Sequence, residues 1–480
     1  MFLDKLFSGK SGVPAKVGIT DPDELAAILR TRPDVMEAFE KAYATQALTE
    51  VSDNFFDVNS RQAAEQMHKA ASLTQASPEL EAMIDKIVGD LAAQTSVYVF
   101  DGNLSRVEQQ KLLPSDIKDV TNDDIKALPE TLRPQLTGTM MKRDINTDSC
   151  DSILWSYSNF LKESDPKKKA TFYHMFRQGL DILDLDPITY EIIGTNRTSM
   201  GHWLPQLVAA ARGKDFFRIP ATRIAKVPMT LLQLTRQDYG ALTPTTLKIV
   251  DDWTHRVFAL EDDKDYFIKT GTYSSKFDFR NAKVSGAKEV RELGEYLLYI
   301  HFQALQMASP LSTPCIYGAS TTNEWVVREF IADKENNPCI YKGLPLHTEY
   351  RVFIDADTDS VLSCVSYWDP DTMKRRFRDG AGNGSMHDAH DYLIYKSHED
   401  TLMKRYEDNK DAVVEHVKEL LPDLDLHGQW SLDVMQNGDD FWLIDMGVAE
   451  NSAFYESVPA ELRSPFPEDW IPKLEAPKTA

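Results

Sequence analysis

No stretch of this chain forms the unbroken apolar run of about 18 residues that a helix needs to cross a bilayer, so no membrane-spanning helix is expected. Cysteine is scarce as well. The four, at positions 150, 315, 339 and 364, lack the paired spacing of a zinc site and stand in a long chain without an export signal, so reduced structural thiols are expected. The opening Met1-Phe2-Leu3-Asp4-Lys5-Leu6-Phe7 is too short and too charged to be the apolar part of a secretory signal, and no small-residue cleavage site comes after it. A cytoplasmic location is the expectation. Positive charge is in deficit: 53 Lys and Arg against 75 Asp and Glu leave a formal net charge of -22. General affinity for nucleic acid needs clustered cations to displace counterions from phosphates, so it is not expected here. Internal repeats and low-complexity tracts are also missing, which excludes a solenoid.

The chain does have length and a change of character along it. A chain of 480 residues exceeds one hydrophobic core and suggests two to four units. Residues 1–150 read as a helical accessory region. Thr20-Asp21-Pro22-Asp23 resembles a helix cap, helical patterns recur near 60–72 and 78–94, and a short strand is expected at 96–100. Pro114, Pro129 and Pro134 break the stretch after that strand, and no catalytic constellation occurs there. Residues 151–250 alternate helical patterns (154–162, 168–183, 203–212) with short apolar runs, as in a small α/β or helical domain. From 251 to 475 short β-branched and aromatic runs dominate, with one helix expected from Gly286 to Met307, so an α+β unit is expected to carry the chemistry.

Within that unit, Val257-Phe258-Ala259-Leu260 and Tyr266-Phe267-Ile268-Lys269 read as a hairpin. Its last residue, Lys269, opens the loop Thr270-Gly271-Thr272-Tyr273-Ser274-Ser275-Lys276. A lysine at a strand end supplies charge for polyphosphate, and a flexible glycine- and hydroxyl-bearing loop supplies amides and hydroxyls. The spacing is not that of a P-loop. Trp325 to Ile331 is an apolar strand ending in Glu329-Phe330-Ile331, a hinge whose main chain can face an adenine edge. In His347 to Ile354, alternation places Glu349 and Arg351 on one face, a carboxylate and a guanidinium pointing the same way.

The last of these segments is Gln429 to Gln436, the turn residues Asn437-Gly438, and Phe441 to Asp445. Trp430, Leu432 and Val434 share a face, leaving Asp433 on the other. Asp445 joins it only if the turn holds an odd number of residues, such as three with a bulge at Gly438. Two carboxylates among apolar neighbours are costly without a cation between them, and hard oxygen ligands suit Mg2+ bridged to phosphates.

In this order the segments resemble the ATP-grasp superfamily over roughly 251–455. The likeness is greatest to carboxylate–amine ligases of the ribosomal-protein glutamate ligase type and to uncharacterised bacterial and phage ATP-grasp proteins, notably through Gly343-Leu344-Pro345-Leu346-His347-Thr348-Glu349-Tyr350-Arg351-Val352-Phe353. The resemblance implies two β-rich lobes sandwiching ATP. Lys269, with Thr272, Ser274 and Ser275 of its loop, would meet the phosphates; Glu329, Phe330 and Ile331 the adenine; Glu349 the ribose; and Arg351 a phosphate. Asp433 and Asp445 would hold Mg2+. The family usually carries an asparagine two residues after the last acidic ligand. Gly447 stands there instead, which makes Asn451 the candidate third metal ligand or leaves the metal site weakened. Arg375, Arg376 and Arg378, in a loop running into Gly380-Ala381-Gly382-Asn383-Gly384-Ser385, match arginine-bearing loops near the γ-phosphate.

The activity so implied is ATP-dependent joining of a small carboxylate or peptide to an amine through an acyl phosphate, with ADP and phosphate released. Two alternatives stand beside it. One is a non-catalytic ATP-binding assembly chaperone with a protein partner on the helical N-terminal region. The other is a nucleotidyl-transfer ligase working through an adenylated lysine.

Overall fold

The computed structural model describes residues 78–101, 193–236, 242–308, 322–378 and 386–464, with gaps at 94 and 195, and isolated positions between 127 and 175. The cap at Thr20, the helix near 60–72 and the loop Gly380–Ser385 lie outside the described residues.

In chain order the main elements begin with α1 (Pro78–Ala93), β1 (Val97–Phe100), α2 (Met200–Ala210), β2 (Phe217–Arg218), β3 (Thr222–Lys226) and α3 (Pro244–Phe258). Next come β4 (Tyr266–Thr270), β5 (Lys283–Val284), α4 (Leu293–Ala308), β6 (Glu324–Glu329), β7 (Cys339–Ile340) and β8 (Leu344–Pro345). The chain continues with β9 (Thr348–Asp355), β10 (Ser360–Ser366), α5 (Pro370–Arg378), α6 (Met386–Leu420), β11 (Gln429–Asn437) and β12 (Asp440–Val448). The fold is mixed α+β. One five-stranded sheet, ordered β1-β3-β6-β4-β5, is antiparallel throughout. A second, ordered β10-β9-β11-β12-β2, is antiparallel except where β2 joins β12 in parallel. β7 and β8 form a small separate hairpin. Among the described residues no helix is long and apolar enough to cross a membrane.

Each sheet keeps one face for helices and one for the space between the sheets. In the first sheet Ile268 and Trp325 are fully buried. The Trp325 indole donates to His301 Nδ1 of α4 at 3.0 Å and meets Trp253 of α3 edge-on at 5.7 Å, so α3 and α4 cover that face. In the second sheet Tyr350, Val352 and Ile354 of β9 join Trp430, Leu432 and Val434 of β11 in the core. Tyr406 of α6 stacks on Tyr350 at 5.5 Å. Burying side chains of this kind stabilises the fold by about 1.5–3 kcal/mol each, and a one-residue slip would turn the whole set outward. The same alternation leaves Glu349, Arg351 and Asp433 facing the opposite way.

Three expectations change here. Val257 and Phe258 end helix α3 instead of forming a strand: Thr243 caps that helix by accepting from the Thr246 amide at 3.3 Å, and the chain leaves it through Ala259 at φ 45°. The segment with Arg375, Arg376 and Arg378 is helix α5, not a loop. The boundaries expected at 150 and 250 do not separate units, because the first sheet takes β1 from the first segment, β3 from the second, and β4 and β6 from the third.

Candidate functional site

The inner faces of the two sheets line one cleft. From the first sheet come Phe267 and Lys269 of β4 and Arg328 of β6; from the second come Glu349 of β9, Asp433 of β11 and Asp445 of β12. The hinge residues Glu329, Phe330 and Ile331 close one side.

The register of the β11–β12 hairpin brings the two aspartates together by a route the sequence did not suggest. Asn437 pairs with Asp440, so the turn is two residues long, Gly438-Asp439, an even number. The odd residue is Ile444, a bulge in β12: Val434 pairs with Leu443, and Asp433 then pairs with Asp445. Without that extra residue Asp445 would fall on the core side. Ile444 itself lines the cleft, and its carbonyl accepts from Arg328 Nη1.

Both carboxylates are held by cations. Lys269, only 2% exposed, donates to both oxygens of Asp445 at 2.9 and 3.0 Å. Arg351 makes a bidentate pair with Asp433 at 2.8 and 2.6 Å. Arg351 is thus bonded to Asp433 and does not itself line the cleft. Burial pulls the Lys269 ammonium below its ordinary value, with Asp445 opposing. For Arg351 burial works against the charge, but Asp433 outweighs it and lifts the guanidinium further up. Burial pushes Glu349 up to about 7, with Lys276 opposing the rise and Asp433 adding to it.

Two cleft cations escaped the sequence reading as site residues. Lys276 carries its ammonium 4.0 Å from the centre of the Tyr367 ring, the ring that Arg351 also covers at 4.9 Å. Burial opposes the Lys276 charge, but Tyr367, Glu349 and Asp433 outweigh it and hold the ammonium above its ordinary value. Arg328 is 4% exposed. Its Nε donates to Thr222 Oγ1 at 3.2 Å, while its Nη2 is buried with no hydrogen-bond partner. Burial brings this guanidinium down to about 10, with Asp445 opposing. An arginine inside the otherwise apolar run Trp325-Val326-Val327 was itself the signal, since a buried cation demands a partner.

The loop after Lys269 is less free than expected. The Thr272 and Tyr273 amides donate to Thr270 Oγ1 at 3.3 and 2.9 Å. Gly271 is there for packing: a Cβ would stand 2.6 Å from Glu324 Oε2 and 2.9 Å from Thr322 Oγ1. Ser274 lines the cleft, whereas Thr272 and Ser275 do not. Ser275 is buried and accepts from Asn281 Nδ2 at 3.4 Å.

At the hinge, the Glu329 amide donates to Ala221 O at 2.9 Å and the Phe330 amide to Asp265 O at 3.1 Å, while the Ile331 amide has no partner among the described residues. Phe279 lies between Phe267 and Phe330, at 6.1 and 6.2 Å, and makes the adjoining wall apolar.

Among the remaining predicted residues, Arg375, Arg376 and Asn451 do not line the cleft. Arg375 donates to Thr372 Oγ1 at 3.1 Å, and Arg376 donates to the Tyr341 hydroxyl at 3.3 Å and sits over Phe277 at 4.6 Å. Arg378 ends α5, and its side chain is outside the described residues. Asn451 is in a turn after β12 and does not line the cleft; its Nδ2 is buried with no hydrogen-bond partner. At Gly447 the nearest groups are the hydroxyls of Ser452 and Ser431 and the Thr198 methyl, 3.4–3.7 Å from where a Cβ would be.

Fold and site together define a mixed α+β protein with a charged, half-apolar cleft between two sheets. No protein-family model matches the chain, and no curated protein does. Among solved structures it is similar to C-terminally truncated Cdc123 from Schizosaccharomyces pombe, at 14% identity and a TM-score of 0.34. It is also similar to Cdc123 from the same organism, at 13% and 0.32; each likeness covers 57% of this chain and 96% of the other. TM-scores of this size establish neither a shared fold nor a shared function.

Proposed function

We propose that the cleft is a Mg-ATP site of the ATP-grasp kind, and that the chain is an ATP-dependent ligase joining a carboxylate to an amine. The observation that carries this reading is the direct pairing of Asp433 with Asp445 on a cleft face opposite Lys269 and Arg328. The adenine would lie against Phe267, Phe279 and Phe330 and take its main-chain donor from Ile331. Glu349 would meet the ribose. Lys269, Lys276, Arg328 and Ser274 would meet the phosphates. The two aspartates suit Mg2+, which when bound supplies charge neutralisation at the phosphate oxygens.

In the proposed reaction a carboxylate oxygen of the substrate forms a bond to the γ-phosphorus as the bond to ADP breaks. An amine then attacks the acyl carbon, phosphate leaves, and the amine proton passes to solvent. The chain's part is to orient, exclude water and offset charge, which needs no side-chain nucleophile. Nucleotidyl transfer would differ in needing a neutral lysine to attack phosphorus and in releasing AMP instead of ADP.

A second reading, ATP binding without turnover, draws on the positions of Arg375, Arg376 and Asn451 away from the cleft. Incubating the protein with Mg-ATP and pools of amino acids, peptides and small carboxylates, beside Asp445→Asn, tests both. Substrate-dependent ADP that the variant does not form is the expected result. Thermal stabilisation by Mg-ATP with no ADP from any pool would favour the second reading, and AMP as product would overturn both.

A further inference from the structure

The cations in the cleft and beside it fall into two sets. Lys269 and Arg351 are each bonded to both oxygens of a carboxylate, Asp445 and Asp433 respectively. Lys276 and Arg328 have no such ion pair among the described residues: Lys276 rests over the Tyr367 ring, and Arg328 keeps one buried donor, Nη2, without a partner. A buried donor left open costs about 1–3 kcal/mol, a cost that an incoming acceptor relieves.

A divalent cation arriving alone finds a poor site. The charge of both aspartates is already offset, and two further cations line the same cleft. A phosphate chain arriving alone finds two cations ready and a third, Lys269, that can exchange Asp445 for a phosphate oxygen.

We propose that Lys276 and Arg328 form a metal-independent landing site for the phosphate chain of a nucleotide, and that phosphate drawing Lys269 away from Asp445 is what opens the metal site. This rests on the nucleotide reading above. The two aspartates stand paired in the cleft, but Asp445 accepts a metal only once phosphate has taken Lys269 from it.

Calorimetry and Mn2+ electron paramagnetic resonance on the full chain test the order. ATP and inorganic tripolyphosphate should both bind in EDTA, and Mn2+ without nucleotide should not. Mn2+ should bind once ATP is present. Arg328→Gln and Lys276→Gln should each weaken ATP binding in EDTA about tenfold or more. Asp445→Asn should act in the opposite direction: freeing Lys269, it should tighten ATP binding in EDTA while abolishing the gain from Mn2+. That opposition does not arise from damaged folding, which weakens every mode of binding. Mn2+ binding equally well with and without nucleotide would overturn the proposal and leave the nucleotide reading standing, as would ATP binding only when metal is present. Failure of ATP to bind under every condition would overturn the nucleotide reading and the proposal with it.

Discussion

Glu349 is 6% exposed and must lose either its charge or its solvation on folding. Burial raises its folded value to about 7 against an ordinary 4.5, with Lys276 opposing and Asp433 reinforcing. A folded value above the unfolded one means that protonation favours the fold. The stability linked to the proton is whole below about 4.5 and lost as the pH rises through 7, a loss of about 3 kcal/mol. Glu349→Gln, which cannot ionise, should therefore melt close to the native protein near pH 5 and clearly above it at pH 8. A difference that does not grow between those two pH values would refute the assignment. Alternation was enough to put Glu349 and Arg351 on one face of β9 and to turn Asp433 away from Trp430, Leu432 and Val434 on β11, because a period of two needs no tertiary information; that the two strands pair and bring these residues to one sheet face did need it. Which cation each carboxylate would meet was not legible, since Lys269–Asp445 joins residues 176 apart in the chain.

Among the elements, the hairpin β11–β12 shows where local rules stop. Asn437-Gly438 announced the turn, but the extra residue needed to align Asp445 lies at Ile444, where its carbonyl meets Arg328 of the other sheet. Helix α3 had its own local signals, Thr243 as cap and Pro244 in first position, yet its last apolar residues were read as a strand because four apolar residues in a row carry no period. The joint between α2 and β6 gives a prediction at this scale. Glu324 accepts from the Gly201 amide at 2.9 Å at the start of α2, and a Cβ on Gly201 would stand 2.3 Å from its other oxygen. Gly201→Ala should lower stability by about 1–3 kcal/mol, because the carboxylate has to leave the helix end to make room. Thermal melting checks this; an unchanged melting temperature would mean that Glu324 relocates freely.

For the molecule as a whole, the first sheet is built from three distant parts of the chain, which no reading of successive segments could have joined. β1 and β3 reach β4 only through β6, so Arg328 on β6 pairs with Phe267 of β4, two residues from Lys269 on the same strand, by virtue of that order. Charge is also divided at this scale. The chain carries a formal net charge of -22, yet Lys269, Lys276, Arg328 and Arg351 gather around the cleft. On the proposed nucleotide reading, an anionic nucleotide would be repelled by the whole at long range and would meet buried cations at contact. Salt screens these two fields unequally, since the Debye length is about 10 Å at 0.1 M and buried contacts are screened much less than distant ones. Adding salt from a low starting point should therefore speed association of a fluorescent ATP analogue while leaving its dissociation nearly unchanged. Stopped-flow mixing reads both rates. An association rate that falls as salt is added would mean that the cleft's own field reaches beyond the surrounding acidic surface and governs capture.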